Sequence, residues 1–125
     1  MQSQPYARPR RGGNFERVAW LFTRVSAVVL LGMALYHFLY MHFAMGTDTI
    51  SFQLIAWRWQ FPGWRIFDLV LLTFGWLHGA NGMRVVLDDY IHSPAGRFLA
   101  HTLLLIVTTT LIALGAFVIL TFDAG

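Results

Sequence analysis

The sequence predicts an all-α membrane protein. Three observations predict it: an apolar composition, three apolar stretches long enough to cross a bilayer, and prolines that all lie outside those stretches. Of 125 residues, 57% are hydrophobic and only 12% are charged. A soluble domain this small could not bury that much apolar surface, so most of it must face lipid.

The first stretch covers residues 20–44, the second 66–87 and the third 98–122; each reaches the roughly 20 residues that span a hydrocarbon core of about 30 Å. Between the first two, residues 45–65 carry Trp57, Trp59 and Trp64 around the Pro62-Gly63 break. Tryptophans of this kind settle at the membrane–water interface, so a surface-lying loop with one short helix is expected there. Residues 88–97 are polar, and Ser93-Pro94 ends one helix and starts the next, making the second and third spans antiparallel neighbours. The chain thus divides into an Arg-rich tail, residues 1–19, and a three-helix region, residues 20–125.

The cationic residues set the expected orientation. All nine are arginines. Arg8, Arg10, Arg11, Arg17 and Arg24 precede or open the first span and share a side with Arg84 and Arg97, against Arg58 and Arg65 on the other. The excess places the amino terminus in the cytoplasm and the carboxyl terminus across the membrane. The tail resembles the start of a signal peptide, but the apolar stretch after it is too long and has no small-residue cleavage site, so it is expected to be retained. There is no cysteine, which excludes disulfides, Cys-ligated zinc and iron–sulfur clusters on this chain. A bound metal must use His, Met or carboxylate.

Ionisable residues inside a span point to a bundle interior, a cofactor or a water-filled path. His37 and His42 lie in the first span and His78 in the middle of the second, whereas Asp68, Arg84 and His101 lie near helix ends and can reach the interface. Gly75, Gly79 and Gly82 fall on or beside the face of His78, which permits a close helix contact or the approach of a flat macrocycle. The residues leave two readings of His78: a hydrogen bonder to another helix, or an iron ligand through Nε2 with Nδ1 held by a neighbour. Asp89 follows His78 by 11 residues, about 20° off its azimuth and about 16 Å along the axis. With Tyr90 it could offer a quinone head group a donor and a proton-accepting group, or simply form an interfacial helix end with Arg84 paired to Asp88. Ser26 and His37 share a face of the first helix; His42 is rotated about 140° from His37 and reads as structural.

Taken together, Arg24-Val25-Ser26 and the run His78-Gly79-Ala80-Asn81-Gly82-Met83-Arg84 followed by Leu87-Asp88-Asp89-Tyr90 resemble the smaller membrane anchor of succinate dehydrogenase, over residues 16 to 122. The resemblance implies a three-helix transmembrane bundle completed by a partner anchor subunit, in the cytoplasmic (inner) membrane. It implies an iron–sulfur subunit that delivers electrons and a flavoprotein subunit that oxidises succinate, so that this chain belongs to an enzyme without holding its catalytic domain. Nucleic acid is not an expected partner. By the same resemblance His78 is an axial ligand of haem b shared with the partner anchor, and Arg24 lies near haem propionates or the quinone region. Tyr90, Asp89 and Ser26 belong to the quinone site, with menaquinone among the candidates. His37 resembles the extra ligand of two-haem members, so two haems are favoured over one. The direction of catalysis, succinate oxidation or fumarate reduction, is open. Two other classes compete: a non-redox transporter or channel subunit whose histidines relay protons, and a structural scaffold.

Overall fold

The computed structural model describes residues 13–46, 48 and 50–123, and Arg8, Arg10 and Arg11 lie outside them. The described residues are almost entirely helical. Helix α1 runs Asn14–Leu39 and passes into a π-helical turn at Tyr40–Ala44, closed by a bond from Met45 N to Tyr40 O of 3.1 Å. Gly46 ends it with φ of 77°, the left-handed conformation that glycine adopts freely. Helix α2 is the short segment Phe52–Arg58, capped by Ser51 Oγ accepting from Leu54 N.

Helices α3, Pro62–Tyr90, and α4, Pro94–Thr121, both start with proline at the first helical position, where its missing N–H costs nothing. Ser93 caps α4 by accepting from Gly96 N at 3.2 Å, as Ser93-Pro94 predicts. α3 starts four residues earlier than the apolar pattern suggests. Arg65 stays helical because its guanidinium turns back to Trp59 O and to the last carbonyls of α4, Leu120 O at 3.1 Å and Phe122 O at 2.7 Å. Arg97 does the same for the end of α3, reaching Asp88 O at 2.9 Å and Ile91 O. Each arginine supplies donors to carbonyls that a helix end leaves without partners.

α1, extended through its π turn, and α4 are each long and apolar enough to cross a membrane. α3 is of similar length, 29 residues, about 43 Å, but its glycines, Asp68, His78 and Asn81 make it less apolar. It is nevertheless the central helix, with α1 on one side and α4 on the other. Both pairs are antiparallel. Along the α1–α3 seam Glu16 meets Arg84, Thr23 meets Asn81, Ser26 meets His78 and His37 approaches Asp68. Along α3–α4, Asp88 meets His101, Leu72 lies against Gly115, and Arg65 meets Leu120. A Cβ at Gly115 would lie 2.6 Å from Leu72 Cδ2, so the absent side chain lets these helices come close.

A row of three helices encloses little. Leu31, Phe43, Phe98, Leu105 and Phe117 are all more than 60% exposed. Among the described residues the buried set is small: Ala19, Met41, Ala56 and Ile119, with Ser26, Arg58 and Thr108. Apolar surface of this extent is covered by lipid or by other protein.

Candidate functional site

The seam between α1 and α3 is bridged by polar side chains spaced three or four residues apart, which is how facing helices keep successive contacts aligned. At one end Arg84 forms a two-pronged ion pair with Glu16, at 3.0 and 3.2 Å, and its Nε donates to Asn81 Oδ1. Asn81 Nδ2 donates to Thr23 Oγ1 and to Ala19 O, while the Thr23 hydroxyl donates to Ala19 O at 2.9 Å. One turn further, Ser26 Oγ lies 2.8 Å from His78 Nδ1. Ser26 is only 1% exposed, and its Oγ also lies 3.3 Å from Thr23 O.

This contact disposes of one imidazole nitrogen and leaves the other. Nδ1 is engaged inside the seam, so Nε2 is the atom available to anything beyond it. The surface beside the ring is bare. At Gly75, Gly79 and Gly82 an added Cβ would meet nothing within 4 Å. Gly75 and Gly79 also line an apolar groove of about 530 Å³ that runs between α3 and α4, past Leu72, Trp76, Leu104 and Thr108. A histidine with one nitrogen tied and one free, beside a strip of helix backbone without side chains, can accept a flat apolar ligand with a metal at its centre.

The other expected site residues are not gathered at His78. His37 shares the Ser26 face of α1, as predicted, but lies 11 residues further along, about 16 Å. It stacks on Phe67, and its Nδ1 is 3.9 Å from Asp68 Oδ1. That separation prevents His37 and His78 from ligating one iron within this chain. Arg24 is exposed on the far side of α1, its guanidinium 3.6 Å over the Trp20 ring, and the fold does not bring it to His78. Asp89 and Tyr90 end α3, and their side chains make no hydrogen bond or ion pair to the described residues; Tyr90 is 81% exposed. Asp88 turns inward, with His101 Nε2 at 3.0 Å and Arg84 Nη1 at 3.8 Å. Arg84 therefore does pair with Asp88, but its closer partner is Glu16. His42 is exposed, stacked on Phe38, with Nδ1 3.0 Å from Phe38 O.

A polar cluster that sequence reasoning missed occupies the opposite end. Arg58 is 1% exposed, bonded to Asp68 through Nη2 at 3.3 and 3.4 Å and to Met41 Sδ through Nη1. Its guanidinium lies 4.4 Å from the Trp64 ring centre, and Trp59 Nε1 donates to the same Asp68 at 2.8 Å. Asp68 is thus engaged inside the fold, and part of the 45–65 segment packs against the helices. α2 folds back and inserts one face, Ala56 and Arg58, against the bundle. Arg58 and Asp68 are separated by ten residues and a Pro-Gly break, so no spacing rule links them in the sequence. Asn81 and Thr23 did carry a signal, each lying three residues from a partner of the same contact.

Long apolar helices, little interior and a polar seam define a class: a helical membrane anchor that encloses little of its own surface. The chain belongs to the succinate dehydrogenase/fumarate reductase transmembrane subunit family, whose match covers residues 4–116. It is 31% identical over 107 residues to the succinate dehydrogenase hydrophobic membrane anchor subunit of Rickettsia prowazekii (strain Madrid E), covering 85% of this chain and 81% of that one. The protein of the same name from Rickettsia typhi (strain ATCC VR-144 / Wilmington) is 34% identical over 88 residues, 70% of this chain and 66% of the relative. That from Rickettsia felis (strain ATCC VR-1525 / URRWXCal2) is 28% identical over 107 residues, 85% and 84% of the two chains.

Proposed function

We propose that this chain anchors a succinate:quinone oxidoreductase in the cytoplasmic membrane and contributes His78 as an axial ligand to haem b shared with a second anchor subunit. The observation that carries the reading is the 2.8 Å contact from Ser26 Oγ to His78 Nδ1. It fixes the ring from inside the seam and leaves Nε2 for iron, next to the open strip of Gly75, Gly79 and Gly82. When bound, haem supplies a one-electron centre beside the quinone site. Everything else asked of this chain is holding and positioning.

α3 is then a third span, its polar residues turned toward the seam and the partner subunit, and the amino terminus is cytoplasmic. Engagement of both Arg58 and Arg65 within the fold supports that orientation, since neither is left as a free cation on the far side. At the cytoplasmic boundary the Tyr90 hydroxyl donates to a quinone carbonyl and the Asp89 carboxyl exchanges the proton that reduction requires. The exposure of Tyr90 and the lack of competing side-chain partners among the described residues support those roles. Electrons arrive from an iron–sulfur subunit, and succinate is oxidised on a flavoprotein. His37 extends the proposal to a second haem on the far side. The Asp68 carboxylate 3.9 Å from its Nδ1 favours that extension, because a carboxylate there orients a ligating imidazole.

The test is purification of the tagged chain from its own membranes. The proposal expects a covalent-flavin protein and a b-type reduced-minus-oxidised spectrum in the same fraction. A haem-free complex with full succinate–quinone activity would reduce the chain to a tether.

A further inference from the structure

We infer that Ser26 is the positioning residue of His78: its hydroxyl accepts the Nδ1–H, fixes the tautomer with Nε2 unprotonated, and through that bond sets the reduction potential of the iron that His78 holds. The inference rests on the haem reading above and reassigns Ser26 from quinone binding to the ring behind the ligand.

A single proton decides the arrangement. A serine hydroxyl has one hydrogen to give, whereas its oxygen can accept. Ser26 Oγ has two polar neighbours, Thr23 O at 3.3 Å and His78 Nδ1 at 2.8 Å. A carbonyl oxygen can only accept. If the hydroxyl proton goes to Thr23 O, the serine oxygen accepts from Nδ1–H, and both donors are satisfied. If the proton goes to Nδ1 instead, the ring carries its hydrogen on Nε2 and presents it to the apolar surface beside the glycines, where a donor without a partner is costly. Only the first arrangement leaves no donor of this pair without a partner, and it is the one in which Nε2 is ready to ligate.

The serine cannot easily turn away, because it is 1% exposed. Its α1 neighbours are held as well: Thr23 Oγ1 is engaged by Ala19 O and Asn81 Nδ2, and Asn81 by Arg84. That leaves Ser26 no exposed face to offer a quinone arriving from outside. A proton acceptor on Nδ1 makes the imidazole a stronger donor to iron and favours the ferric state. Removing it should raise the potential.

The experiment compares the midpoint potential and ferric electron-paramagnetic-resonance signal of haem in the purified complex for wild type, Ser26→Ala, Ser26→Cys and His78→Ala. Ser26→Ala should retain haem while its oxidised-to-reduced ratio at fixed potential falls about tenfold, the low end for loss of such an outer partner, or about 59 mV for a one-electron couple. Ser26→Cys, near in size but a weaker acceptor, should fall between, and it carries the test if the alanine variant does not assemble. Wild-type potential and signal in both serine variants, with haem lost in His78→Ala, would overturn the role of Ser26 alone. Haem retained in full by His78→Ala would instead overturn the haem reading on which it rests.

Discussion

The two halves of the α1–α3 seam are built from the same two helices but solve opposite problems. Around His78 the side chains that bridge the seam are small, serine, threonine and asparagine, with three glycines on an open face, and Phe22 meets Phe74 edge-on beside them. Around His37 they are large: Tyr36, Tyr40, Trp64 and Phe67 interlock, with Tyr40 and Trp64 centroids 4.7 Å apart, over the buried Arg58–Asp68 pair. The first half leaves an open strip of helix backbone beside the His78 ring. The second is lined by aromatic rings, and Arg58 and Asp68 pair within it.

Predictions follow from that contrast, the far half being asked for stability and the near half for chemistry. Arg58→Ala should have the largest effect on folding. It leaves Asp68 partly buried without its counter-charge, which should cost about 3–5 kcal/mol and show as a lower unfolding temperature in detergent and poor assembly. Replacing both members, Arg58→Met with Asp68→Leu, should recover most of the loss; equal damage in the double variant would mean that the pair is not the source of stability there.

His37→Ala should remove about half the haem if the far half also holds one. Full retention of two haems per complex rejects His37 as a ligand and leaves the far half purely structural. Tyr90→Phe should slow quinone reduction roughly fivefold, the worth of one neutral hydrogen bond of about 1 kcal/mol, with succinate oxidation by a soluble dye unchanged. Unaltered quinone kinetics would detach Tyr90 from the site. The smallest effect is expected from Asn81→Leu, which loses the bonds to Thr23 and Ala19 and should destabilise by about 0.6 kcal/mol, since such interhelical bonds in membranes are individually weak. A loss several times larger would mean that the ladder acts as one unit.

Much of this was legible in the sequence because helix geometry is local. An apolar run of fixed length, Ser93-Pro94 at a helix start, and the common face of Ser26 and His37 all follow from a regular repeat. His78 stood out because an ionisable group in lipid needs a reason. The identity of its Nδ1 partner did not, because a contact between residues 26 and 78 depends on the register of two helices, and the pattern within each says nothing of register. Arg58 was hidden more thoroughly. Its sequence context, Trp57 and Trp59, is that of a membrane surface, and only the return of α2 onto α3 turns it inward. The apolar stretch also underestimated α3 at its start, since Arg65 reads as loop until its guanidinium is seen to cap α4.

The most direct test of the central claim is haem per flavin in the complex purified with His78→Ala. The account predicts loss of the b-type signal that His78 supports while the protein subunits remain assembled. An unchanged haem content with an unshifted spectrum would contradict it, and would leave the Ser26–His78 contact as a hydrogen bond between helices and nothing more.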